Sequence, residues 1–61
     1  MLTDKERQVK ELLISGKSNK EIANELFISL HTVKTHIEHI YYKYNVHSRI
    51  ELILKNINDS A

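Results

Sequence analysis

SNKEIANELFISLHTVKTHIEHIYYKY, residues 18–44, is the stretch on which the reading of this 61-residue chain turns. Its apolar side chains fall at Ile22, Leu26, Ile28, Val33, Ile37 and Ile40, helical spacing on each side of a short break. Ser18 to Ala23 opens a first helix, and Ser29 to Lys34 opens a second. Ala23 puts a small side chain where two crossing helices approach closely. The pattern predicts a helix-turn-helix, an arrangement whose second helix can lie in the major groove of DNA.

Outward from that stretch, the signals are those of supporting helices. Thr3 followed by Glu6 predicts a capping box, in which the threonine hydroxyl takes the Glu6 amide and the glutamate takes the Thr3 amide. A helix over about 4–15 then turns Val9, Leu12 and Leu13 inward and Lys5, Arg7, Lys10 and Glu11 outward. Gly16, the single glycine, supplies the left-handed stop. Ser18 with Glu21 and Ser48 with Glu51 repeat the capping box.

Ser29 departs from that pattern, because the residue three positions on is Thr32 rather than an acid. A carboxylate there would satisfy the helix terminus but repel phosphate. A neutral threonine leaves the positive end of the helix dipole open to an anion. The third helix should run from Leu30 to Tyr44, burying Val33, Ile37, Ile40 and Tyr44 and turning His31, Lys34, Thr35, Glu38 and Tyr42 outward. Asn45 is a left-handed stop, Val46 returns to the core, and a fourth helix is expected over about 48–57. With Leu52 and Ile53 facing inward, Ile50, Leu54 and Ile57 form a second apolar stripe left in water, a pattern that marks a contact surface. Residues 58–61 are expected to fray.

Size and composition exclude several classes. A chain of 61 residues supports one small domain with no enclosed cavity. It has no cysteine, so neither disulfides nor thiolate metal sites are available. His36 and His39 lie three apart on a helix, but two imidazoles without a third donor make an incomplete metal site, so no metal and no cofactor is expected. Catalysis is excluded for want of a cleft that could desolvate reacting groups. No apolar run approaches the roughly 20 residues needed to span a bilayer, and the expected location is the cytoplasm. Net charge is only +1, yet residues 29–49 hold Lys34, Lys43 and Arg49 against Glu38, together with all four histidines, His31, His36, His39 and His47. Protonation of those histidines near phosphates would raise the local charge and tighten binding as pH falls from about 7.5 to 6.

These residues resemble the LuxR-type helix-turn-helix domain, the DNA-binding end of quorum-sensing regulators and of NarL- and FixJ-type response regulators. The matching positions are Leu2, Thr3, Glu6, Gly16, Ser18 to Ala23, Leu26, Ile28, Ser29, Thr32 to Lys34, His36, Ile40, Lys43, Val46 and Arg49. Lys5, Tyr44 and Asn45 depart from it, standing where the family usually has arginine, leucine and glycine. The last two imply a bulkier core around the third helix. The resemblance implies an all-α domain of four helices, with the third in the major groove and the fourth pairing two copies. By position it puts Lys34, Thr35 and Glu38 at base edges or nearby phosphates, and Lys20, Thr32, His36 and Lys43 at backbone anchoring or helix packing.

Together the residues and the resemblance predict a double-stranded DNA-binding domain that regulates transcription. Lys20, Ser29, Thr32, His36, Tyr42 and Lys43 are expected at phosphates, and His31, Lys34, Thr35 and Glu38 at base edges. Glu38, four residues from Lys34, can also form an ordinary helical ion pair worth about 0.2–0.5 kcal/mol. A homodimer through Ile50, Leu54 and Ile57 would bind two half-sites about 34 Å apart, with RNA polymerase a secondary candidate partner. Two other readings stay open: a promoter-reading domain of a sigma factor, and an interaction module that does not touch DNA.

Overall fold

The computed structural model describes the backbone of residues 1–60 and the side chains of residues 1–58; Ala61, the end of the tail expected to fray, lies outside the described residues. Among the described residues four helices follow one another: α1 (Asp4–Ile14), α2 (Asn19–Leu26), α3 (Leu30–Tyr44) and α4 (Arg49–Ser60). α3 packs against both α1 and α2, and α1 also meets α4. The expected stripes converge in one core of Val9, Leu13, Ile22, Ala23, Val33, Ile37, Ile40, Val46 and Leu52. Leu12, Leu26, Ile28, Tyr41 and Tyr44 pack around it, half-buried. Truncating a fully buried member such as Ile40 to alanine removes about 2–5 kcal/mol, much of what so small a domain holds.

The helix ends explain the shortness of the connections. Just past α1 the amide of Lys17 reaches the Leu12 carbonyl, past α2 that of Ile28 reaches Ala23, and past α3 that of Val46 reaches Tyr41. Each is a bond back five residues, and each requires a left-handed residue just before it. Gly16 (φ 98°), Phe27 (φ 56°) and Asn45 (φ 55°) fill those positions. Glycine pays little there and asparagine tolerates it, but an aromatic residue is strained. Phe27 nevertheless remains 93% exposed, so its ring gains little from packing in return.

The starts of the helices differ from expectation in one place. Thr3 and Glu6 form the full reciprocal box, as do Ser18 and Glu21. At α4 the Ser48 hydroxyl accepts from the Glu51 amide, but the Glu51 carboxylate takes the amide of His47 instead of Ser48. The acid therefore ties down the residue before the cap. α4 also continues to Ser60 instead of stopping near residue 57, and residues 58–60 are helical rather than frayed. With no proline or glycine after Ser48, nothing interrupts it.

Where leucine would be usual, Tyr44 does more than fill space. Its hydroxyl accepts from the Lys10 ammonium at 3.1 Å, and that ammonium lies 5.3 Å from the ring centroid. The Tyr44 carbonyl accepts from Lys55 at 2.9 Å. A cation from α4 thus sits on the negative end of the α3 dipole and links the two helices.

Candidate nucleic-acid interface

The outer face of α3 follows from the helical period. Turning Val33, Ile37 and Ile40 into the core forces His31, Lys34 and Glu38 to the opposite side, where all three are exposed together with Tyr42. Thr35 belongs to the same face but is half-buried, and its hydroxyl donates to the His31 carbonyl at 3.1 Å. Its oxygen keeps acceptor capacity outward while its proton is held by the backbone. The structure therefore brings the five expected outer residues onto one face.

The expected ion pair between Lys34 and Glu38 is absent among the described residues. Two exposed long side chains gain little from pairing across a helix turn, because water screens the attraction and their rotamer freedom is lost. Lys34 thus extends from the middle of the face without a carboxylate on it. Glu38 in turn offers unpartnered acceptor oxygens beside it.

At the start of α3, the Ser29 hydroxyl accepts from the Thr32 amide at 3.0 Å and shares a hydrogen bond with the Thr32 hydroxyl at 2.8 Å. Two hydroxyls thus replace the acid of a capping box. The first turn of α3 holds no acidic residue, whereas α1 and α2 have Asp4, Glu6 and Glu21 in theirs. At α2 the Glu21 carboxyl is held below the usual range, first by the Ser18 amide and then by the Ser18 hydroxyl. Of the three proposed anion-facing hydroxyls and amines near these termini, Lys20 is exposed in the first turn of α2, Ser29 is exposed, and Thr32 is half-buried beside it.

His36 and Lys43 are less free than the sequence suggests. His36 is half-buried, and its Nδ1 is shut off from solvent with no hydrogen-bond partner among the described residues. Nε2 is left as the nitrogen through which the ring can bond outward. Lys43 donates to Glu6 Oε1 at 2.8 Å and to the Met1 carbonyl at 3.1 Å. Both bonds engage its ammonium within the domain, the helix-packing half of what the resemblance implies for this position. His39 likewise turns toward Glu6, its Nδ1 3.5 Å from Oε2.

Glu6 is the residue whose importance sequence reading understated. Its spacing from Thr3 marks it only as a cap, yet it is 4% exposed and is the one buried charged side chain among the described residues. Lys43 beside it, then the Thr3 amide, hold its carboxyl down at about 2 despite burial. Spacing alone could not show this, since Lys43 lies 37 residues away. The apolar stripe of α4 is as expected: Ile50, Leu54 and Ile57 are 69%, 56% and 57% exposed. Among the described residues no helix is long and apolar enough to cross a membrane.

Four helices with an exposed, polar third helix rising from a tight turn define a helix-turn-helix domain of the kind that binds DNA. The chain belongs to the luxR family of bacterial regulatory proteins, whose model matches residues 1–55. It is 46% identical over 55 residues to the spore germination protein GerE of Bacillus subtilis, covering 90% of this chain and 74% of that one. It is 52% identical over 52 residues to the uncharacterized response regulatory protein YgeK of Escherichia coli, covering 85% of this chain and 35% of that protein. With the nitrate/nitrite response regulator protein homolog of Haemophilus influenzae it shares 53% over 49 residues, 80% of this chain and 24% of the regulator. Over 52 residues it is 48% identical to an HTH-type transcriptional regulator of Mycobacterium tuberculosis, of whose length it spans 6%. The family is one of DNA-binding transcription regulators, which is not an enzyme class.

Proposed function

We propose that the chain reads duplex DNA sequence-specifically through α3 and does so as a homodimer. The observation that carries this is the outer face of α3, where Lys34 is unpaired between His31, Thr35 and Glu38 and no acid guards the helix start. Lys34 reaches a guanine edge or the adjacent phosphate, and Glu38 accepts from cytosine N4. Ser29, Thr32, Lys20, Tyr42 and His36 Nε2 fix the register on phosphates. Lys43 takes no part in contacting DNA.

A single module buries too little surface for strong discrimination, and α4 offers what a second copy needs. Ile50, Leu54 and Ile57 lie four and three residues apart on one exposed side of the helix, so two copies can bury them against each other. Two such domains would occupy half-sites about one helical turn, roughly 34 Å, apart.

Selection of bound sites from random duplexes tests the reading, with the recovered motif expected to contain two copies of a half-site. A salt titration separates it from a module that only binds protein. Affinity for DNA should fall steeply as salt rises, in proportion to the phosphates neutralised. A flat response, or no recovered motif at low salt, favours the interaction module and the α4 stripe as its surface. Retention of RNA polymerase by the chain in the absence of DNA would favour the sigma-factor reading.

A further inference from the structure

Of the three acids placed three residues after a serine or threonine cap, two act locally. Glu21 and Glu51 are exposed, and their carboxylates bond backbone amides within four residues of their own position. Glu6 makes the same local bond, its Oε1 accepting from the Thr3 amide at 3.0 Å. The same carboxylate is buried and also engages α3 twice, Oε1 with the Lys43 ammonium at 2.8 Å and Oε2 with His39 Nδ1 at 3.5 Å. Lys43 and His39 stand one turn apart, on the flank of α3 that borders its outer face: His39 follows Thr35 by four residues.

We propose that Glu6 is a positioning residue for the recognition helix, its buried carboxylate fixing the roll of α3 against α1 through Lys43 and His39. This rests on the DNA-reading proposal above. The apolar contact between α1 and α3 sets this roll less sharply, because the hydrophobic effect is non-directional. A buried carboxylate sets it more sharply, since any roll that parts the carboxylate from Lys43 leaves a charge unpaired. Rolling a helix by about 20° moves atoms about 5–6 Å from its axis by about 2 Å. A bidentate hydrogen bond to a base edge survives only a few tenths of an ångström of error beyond its 2.7–3.2 Å range. The two-turn hold on α3 therefore acts on the discrimination between DNA sequences more than on attraction to DNA as such.

E6Q tests this while keeping the cap, because glutamine serves as well as glutamate in a capping box. The probes are the duplex that the wild-type chain selects from a random pool and a scrambled duplex of equal length, at one salt concentration. In E6Q, affinity for the selected duplex should fall about fivefold while that for the scrambled duplex stays unchanged. K43M should do the same, and the double variant should be no worse than either single one. Equal changes on both duplexes, or none on either, overturn the proposal. If E6Q does not fold, H39A removes the exposed arm of the contact and should lower the same ratio about twofold. An unchanged ratio in folded H39A then overturns it. If the wild type selects no duplex at all, the DNA reading fails separately, and residual dipolar couplings decide the positioning role: an α1–α3 orientation in E6Q (or H39A) identical to that of the wild type refutes it.

Discussion

The outer faces of α3 and α4 are both exposed, yet they are chemical opposites. α3 presents His31, Lys34, Thr35, Glu38 and Tyr42, whereas α4 presents Ile50, Leu54 and Ile57. α3 is also held from below by an ion pair at Glu6, while α4 is linked to it at one end by Lys55 on the Tyr44 carbonyl. The two helices are therefore suited to different neighbours. A polar face with an unpaired lysine suits a hydrated, charged groove. An aliphatic stripe gains only where water is excluded, at about 25 cal/mol for each Å² covered.

That contrast can be broken by experiment. The largest effect is expected from Lys34→Ala, which should weaken DNA binding by about 1–3 kcal/mol on single and paired half-sites alike. Fluorescence anisotropy on the selected duplex measures it, and a loss confined to that duplex indicates base reading rather than a phosphate contact. Thermal stability should be unaffected, since the side chain is exposed and unpaired.

Next comes the anchor beneath α3. The Glu6 carboxyl is depressed from 4.5 to about 2 in the folded chain. Its stabilisation is therefore complete above pH 4.5 and disappears as pH falls toward 2. Because Lys43 is about a third exposed, water screens part of the attraction, and roughly 2 kcal/mol is expected to vary over that window. Urea melts of the wild type and E6Q should differ at pH 6 and converge near pH 2. A difference that persists at pH 2 would mean that the lost glutamate acts by shape rather than by charge.

Leu54→Glu addresses the other face. On paired half-sites it should remove about 1 kcal/mol of coupling between two bound copies. On an isolated half-site it should change nothing. Equal binding to paired sites before and after the substitution would break the assignment of α4 as the seam. The smallest effect is expected from Phe27→Gly, which relieves the left-handed strain just before α3 and should raise stability by about 0.5 kcal/mol. Its exposed ring packs little, so a loss of stability in that variant would show that the ring has contacts that matter.

Much of this was legible from the spacing of apolar residues. Val33, Ile37 and Ile40 define one side of α3 and thereby its opposite, and Ser18, Ser29 and Asn45 mark ends that the structure places within a residue of expectation. Contacts between distant positions were not legible. Nothing in the neighbourhood of Glu6 announces Lys43, and the local pairing rule that suggested Lys34 with Glu38 gave way to solvent screening. Phe27 escaped notice because left-handed residues are read from glycine and asparagine, and here an aromatic takes the position. The length of α4 was underestimated because a helix without a breaker carries no mark of where it ends.

The way the first three helices stop has a practical result. Gly16, Phe27 and Asn45 are each followed within three residues by Ser18, Ser29 or Ser48, so one helix is closed and the next opened with scarcely any slack between them. Enzymes that cut polypeptides work on exposed tips with room to be drawn out, and the interior of this chain has few. Brief digestion should trim its extremities and spare the span from Thr3 to Ser48.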